Sequence, residues 1–233
     1  MEYKTFVKRF GASVRTKNLT PPDKLLTTPL GVNKRAHQLP AESEIPKEFI
    51  RLDPWEAEYL FIVAQRAKKG IVEIGRFNGG SAFTMACANE TAPIYSVDIE
   101  PQNDALLCNL FNTTGVGANV TLLVGDSQRQ KFPEVRDYDL LFVDGDHSYD
   151  GAMRDLENWW DGLAPGGHVV CHDAYAAQPC MDAILDFMFR KDVFVVNAPV
   201  KHHYHGFHPA GSMAHFMKKE RSPITRVFGL GRS

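Results

Sequence analysis

Asp139-Leu-Leu-Phe-Val-Asp-Gly-Asp-His-Ser-Tyr149 and, further on, His168-Val-Val-Cys-His-Asp173 decide the reading of this chain. Each is a short apolar run that stops at acidic or imidazole side chains. Runs of this kind read as buried parallel strands, covered on both faces. In an open α/β sheet the ligand crevice lies beyond the carboxyl ends of the strands. Asp144, Asp146, His147, His172 and Asp173 are therefore expected to converge on one crevice. Five titratable groups together point to a metal and to acid–base chemistry.

The same pattern extends in both directions. Upstream, Ile71–Ile74, Ile94–Asp98 and Val120–Val124 read as strands, separated by helical stretches over 81–89 and 104–113. The run from Asp53 to Ala67 has an Asp cap, Pro at the first helical position and apolar spacing near 3.6. Downstream, helices are expected over 151–163 and 180–190, with strands at Val193–Val196 and Met213–Lys218. Pro165-Gly-Gly reads as the turn into the strand that starts at His168. The last strand pair has no room for a crossover helix between its members and is expected to be antiparallel. The fold class is thus α/β, a doubly wound seven-stranded sheet, mostly parallel with a final antiparallel strand. Three parts are expected: a 1–50 arm acting as lid or oligomer contact, a 51–218 domain, and a basic 219–233 tail.

Composition fits a globular protein: 233 residues, 44% hydrophobic and 23% charged. No apolar run reaches the roughly 18 residues that span a bilayer, and Met1 to Phe10 lacks a signal-peptide apolar core. Cys87, Cys108, Cys171 and Cys180 show no CxxC spacing and read as reduced core thiols, which suggests the cytoplasm. The net charge of −2 hides an asymmetry. Residues 1–40 carry eight Lys/Arg against Glu2 and Asp23. Five prolines between 21 and 46 break this arm. No aromatic–basic interleaving continues into the domain, so nucleic acid is not an expected partner.

Val72-Glu-Ile-Gly-Arg-Phe-Asn-Gly-Gly80 follows the first strand and opens a helix. Gly75 permits a tight turn, and Gly79-Gly80 allow close backbone approach. A dinucleotide fingerprint needs its second glycine facing the pyrophosphate. Phe77 stands there, so the loop favours a nucleoside ligand without a diphosphate and disfavours a nicotinamide dehydrogenase. Asp98 ends the second strand, where a carboxylate can accept from ribose hydroxyls or cap the next segment. Asp126, in Gly125-Asp126-Ser127, can accept from an adenine amino group or hold a turn.

This order of elements resembles the class I S-adenosylmethionine-dependent methyltransferases, with their Rossmann-like fold, over about residues 53–218. Glu73-Ile-Gly-x-x-x-Gly-Gly, Asp98, Gly125-Asp126-Ser127 and Pro165-Gly-Gly sit at that fold's landmarks. Phe142-Val-Asp-Gly-Asp-His-Ser-Tyr-x-Gly151, Asp155-Leu and Leu163-x-Pro-Gly-Gly ahead of His172-Asp173 resemble more specifically the family of macrolide-sugar and cephalosporin-pathway O-methyltransferases. The resemblance implies S-adenosyl-L-methionine as cofactor, with candidate contacts at Glu73, Gly75, Asn78, Gly79, Ser81, Asp98, Asp126, Ser127 and Asp144. It implies a divalent cation, Mg or Mn, on Asp144 and Asp173. It also implies Asp146 or His147 as base. The chain departs from the pattern at His172, which stands where an acid is expected. Imidazole suits Mn, Fe, Ni or Zn better than Mg. His172 is therefore either a third metal ligand or a hydrogen-bonded neighbour.

The expected activity is cation-assisted methylation of a hydroxyl on a small polar molecule such as a sugar, by a homodimer or higher homo-oligomer. The alternatives are a metal-free methyltransferase using His147 alone, or a non-catalytic ligand-binding member of the fold acting as an assembly partner. A second cluster, His202 to His208 with His215, reads as a polar loop, a substrate contact or a metal site. Trp159 and Trp160 are expected to pack a helix on the sheet.

Overall fold

The computed structural model describes residues 1–10, 46, 49–174, 177–197 and 212–220. The expected 1–50 arm is therefore described only at its two ends. The His202–His208 loop and most of the 219–233 tail lie outside the described residues.

The strands are β1 (Ile71–Ile74), β2 (Ile94–Asp98), β3 (Val120–Val124), β4 (Tyr138–Val143), β5 (Leu163–Cys171), β6 (Val193–Asn197) and β7 (Ala214–Lys218). They form one sheet in the order β3-β2-β1-β4-β5-β7-β6. β1 to β5 pair in parallel, while β7 is antiparallel to both β5 and β6. The helices are α1 (Tyr3–Phe10), α2 (Pro54–Ala64), α3 (Gly80–Ala88), α4 (Asp104–Thr114), α5 (Tyr149–Trp160) and α6 (Gln178–Arg190).

Side chains alternate across a strand, so each central strand feeds two cores. Ile71, Leu140 and Phe142 face the core built with α1 to α4. Val72, Ile74, Leu141 and Val143 face the core built with α5 and α6. Trp159 and Trp160 are buried in that second core, as their position on α5 suggests. α1 belongs to the first core: Phe6 is fully buried against Phe61 of α2.

Two sequence expectations need correction. Pro165-Gly-Gly is not a turn ahead of a strand. β5 already runs from Leu163, and the motif forms an irregularity between the pairings Tyr138↔Leu163 and Leu140↔His168. Proline and glycine are tolerated there because the ladder is interrupted. Cys108 is not a core thiol: it is exposed on α4, while Cys87, Cys171 and Cys180 are buried.

Candidate active site

The carboxyl ends of β1, β2 and β4 open onto a cavity of about 490 Å³, a size typical of small-molecule sites. Its floor depends on glycine. Gly75 has φ +88, and a Cβ there would run into the Asp144 carbonyl, so the loops after β1 and β4 touch through it. Gly80 has no room either: a Cβ would lie 2.5 Å from Ile50 Cα and from the Phe49 carbonyl. The chain at 49–51 is thereby laid against the start of α3.

Phe77 has φ 48, a left-handed conformation that costs a bulky residue of order 1–3 kcal/mol. Its N–H donates to Asp98 Oδ2 at 2.7 Å, and its carbonyl accepts from Gln102 N at 3.0 Å. Asp98 Oδ1 accepts from Glu100 N at 2.7 Å. Each Asp98 oxygen keeps a further lone pair for a ligand, and the residue lines the cavity. Asp126, Ser127, Asn78 and Ser81 line it as well.

Several of these groups are already committed. Ser127 Oγ donates to Asp155 Oδ1 at 2.6 Å. Asp155 Oδ2 is buried without a hydrogen-bond partner among the described residues, and burial pushes that carboxyl up to about 6. Asn78 Oδ1 accepts from Asn103 Nδ2 at 2.6 Å. Glu73 does not line the cavity. It is fully buried beneath the loop, accepts from the hydroxyls of Ser81 and Ser96, and is raised by burial to about 7. It supports the loop through Ser81.

Asp144 at the end of β4, His147 just beyond it, and Asp173 beyond β5 form one cluster. One ligand atom from each lies within 4.8 Å of the others. His147 Nε2 is 3.5 Å from Asp144 Oδ1 and 3.8 Å from Asp173 Oδ2. Asp144's hydrogen bond and charge, with the charge of Asp173, outweigh partial burial and raise the His147 ring. Asp173 has φ 51, a conformation that Asp tolerates better than most residues. The two carboxylates can hold Mg or Mn with added waters, and the imidazole beside them can either join as a third donor or stay free to take a proton.

His172 lies beside this cluster, with each ring nitrogen facing a carboxylate. Its Nδ1 is 3.0 Å from Asp144 Oδ1 and its Nε2 is 3.0 Å from Glu56 Oε2. With a carboxylate on each nitrogen, the ring is a buried imidazolium donating both protons. Burial opposes the charge, but Asp144 and Glu56 raise the ring well above 6.5. Burial would raise Glu56 too. The His172 hydrogen bond and charge, with the N–H groups of Ser212 and Asp53, bring it down to about 2.

Glu56 and Ser212 are functional neighbours that sequence reading did not single out. Glu56 Oε2 accepts from Asp53 N at 2.8 Å, and Oε1 accepts from Ser212 N and Oγ at 2.9 and 2.8 Å. The available signal was Glu three residues after the Asp53 cap, a capping-box spacing. That spacing also aims the carboxylate at His172. Asp146 stands apart from the cluster. It accepts from Ser148 N at 2.8 Å and Gln128 Nε2 at 3.3 Å, and the Ser148 N–H holds it low.

His215, grouped with the His-rich cluster, lies on β7 within the strand expected over Met213–Lys218. Its ring nitrogens meet Tyr59 Oη at 2.6 Å and His168 Nδ1 at 2.8 Å.

A family model described as "Methyltransferase domain" matches residues 72–174. These residues carry the glycine loop, Asp98, Asp126, Asp144, His147 and Asp173. Over those residues the chain is similar to methyltransferase domains. The methyltransferase fold is shared with the O-methyltransferase NovP, at a TM-score of 0.59 and 14% identity over 76% of this chain and 86% of that one. It is also shared with the O-methyltransferase TomG from Streptomyces achromogenes, solved with S-adenosylmethionine. That likeness has a TM-score of 0.56 and 18% identity over 94% of this chain and all of TomG. A Mycobacterium sp. (strain JLS) protein, named provisionally as an O-methyltransferase, is 29% identical over 109 residues, 46% of this chain and 49% of its own length. The chain spans about half the length of the curated relatives it matches. No described helix is long and apolar enough to cross a membrane.

Proposed function

We propose that this protein is a divalent-cation-assisted O-methyltransferase acting on a hydroxyl of a small polar molecule such as a sugar. The observation that carries the reading is the Asp144–His147–Asp173 cluster, set on the wall of the cleft that the glycine loop and Asp98 also line. NovP and TomG, which share the fold, are both O-methyltransferases.

A neutral alcohol is a poor nucleophile near pH 7. Asp144 and Asp173 would hold the cation, whose contribution is to lower the pKa of a bound hydroxyl. His147 Nε2 takes the hydroxyl proton. S-adenosylmethionine bound over the glycine loop would supply the methyl group to that oxygen, with S-adenosylhomocysteine as the product left behind. His147 suits the base role better than Asp146, because its ring faces the two carboxylates while Asp146 is spent on its own loop. Holding both reactants in line can supply roughly 7–11 kcal/mol of the barrier. Glu56 and His172 move no proton in this scheme. They fix the Asp144 carboxylate from behind.

The test is methyl transfer from labelled S-adenosylmethionine to a panel of sugar hydroxyl acceptors, before and after chelation. Turnover should fall on chelation and return with added Mg or Mn, except in Asp144→Ala and Asp173→Ala. His147→Ala should lower turnover by about 10²–10⁴-fold, the usual share of a general base, with cofactor affinity intact. Full activity in chelated protein shown by metal analysis to be cation-free would remove the cation from the reading.

A further inference from the structure

Arg51 carries the unspent positive charge of an otherwise acidic cleft. The carboxylates of Asp98, Asp126, Asp144, Asp146, Asp155 and Asp173 all line the cavity. The cations facing them are mostly spent. Arg76 is fully buried and gives Nε and Nη2 to both oxygens of Asp104 at 2.8 and 2.9 Å, with Nη1 on the Ser96 and Leu123 carbonyls. His172 lies between Glu56 and Asp144, and His147 against Asp144 and Asp173. Arg51 alone among the cavity's described cations has no carboxylate partner. Its guanidinium lies over the Phe77 ring, 5.9 Å from the centroid.

That location is built into the backbone. Gly80 admits the 49–51 segment to contact with the first turn of α3, since any Cβ there would strike Ile50 and Phe49. Phe49 and Ile50 are buried, which anchors the residue before Arg51. Phe77 is held at φ 48 with half its surface exposed, presenting its ring beneath the guanidinium. Both partners of the stack are thus fixed by features a mere surface pair would not need.

S-adenosylmethionine has a sulfonium, an ammonium, sugar hydroxyls and a nucleobase amine, all of which suit carboxylates. Its single anion is the amino-acid carboxylate. In a cleft lined by six aspartates that group would be repelled unless it met a cation. We infer that Arg51 receives the amino-acid carboxylate of the cofactor through its guanidinium fork, with Phe77 as the platform that orients it. This rests on the cofactor assignment of the proposed function. It adds a positioning residue for the end of the cofactor away from the base.

The test is calorimetry with S-adenosylhomocysteine and with its decarboxylated analogue, which lacks only the carboxylate. The wild-type protein should bind S-adenosylhomocysteine at least tenfold more tightly than the analogue. R51Q should lose at least tenfold on S-adenosylhomocysteine, little on the analogue, and so lose the preference between them. R51K should fall between the two, because it keeps charge without the fork. A wild-type protein that binds both ligands equally overturns the inference whatever the variants do. So does an R51Q protein that keeps the preference. If the wild-type protein binds neither ligand, the cofactor assignment itself fails, and the inference fails with it.

Discussion

His172 and His215 are equally buried, each 4% exposed, yet they are driven to opposite charge states. His172 has a carboxylate 3.0 Å from each nitrogen and is raised well above 6.5. His215 has a phenol and a second imidazole instead. Burial above all, with smaller effects from His168 and Arg66, lowers it to about 3. Burial disfavours the charged ring in both places, so the partners decide. The cleft side of the sheet stores a fixed cation between two acids. The β5–β7 side holds a neutral hydrogen-bonded chain from Tyr59 through His215 to His168. A buried histidine is therefore informative only with its partners named.

The largest effect is expected where the charge is fixed. His172→Gln would leave the buried Glu56 and the partly buried Asp144 as two acids facing a neutral amide. Breaking such a buried pair costs about 3–5 kcal/mol, measurable by urea unfolding at pH 7. His172 also gives a pH signature. Its folded pKa lies above the unfolded value near 6.5, so its stabilisation is complete below 6.5 and is lost as pH rises through the folded value. A His172→Gln protein as stable as wild type would mean that the ring is not a charged keystone.

A smaller effect is expected at His215. His215→Gln keeps a donor and an acceptor on the chain and should cost about 1 kcal/mol at pH 7, the scale of one hydrogen bond. Its signature is again in the pH profile. The folded pKa near 3 lies below the unfolded 6.5, so the unfolded chain binds the extra proton between those values. Wild-type stability should fall as pH drops from about 6.5 towards 3, and the difference from the variant should shrink or reverse over that window. An unchanged difference at pH 4 and 7 would erase the contrast between the two histidines.

The sequence showed much of this architecture, because the evidence for it is local. β1, β2 and β3 have the expected bounds, since each apolar run is closed by glycine, aspartate or proline chemistry. The cluster of Asp144, His147 and Asp173 follows from strand ends, which a parallel sheet must bring to one edge. What the sequence could not show is orientation. His172 follows Cys171 of β5 directly, but whether its ring faces the cleft or Glu56 depends on a helix 116 positions away in the chain. The role of Glu56 was hidden by a helix cap that explains the residue on its own. β5 was read too short because Pro165-Gly-Gly signals a turn wherever it occurs, and only the interrupted ladder with β4 accommodates it. His215 was grouped with its histidine-rich neighbours by proximity, while on β7, covered on both faces here, it lies on the face opposite Ala214 and Phe216 and meets Tyr59.

The central claim is that the cleft over the glycine loop binds S-adenosylmethionine through Asp98, independently of the histidine chemistry on either side. Titration calorimetry with S-adenosylhomocysteine tests it most directly. Wild-type protein should bind in the micromolar range. Asp98→Ala should weaken binding by about 1.5–3 kcal/mol, the scale for a hydrogen bond to a charged group, and His215→Gln should leave it unchanged. No binding by the wild-type protein, or equal affinity in Asp98→Ala, would contradict the account.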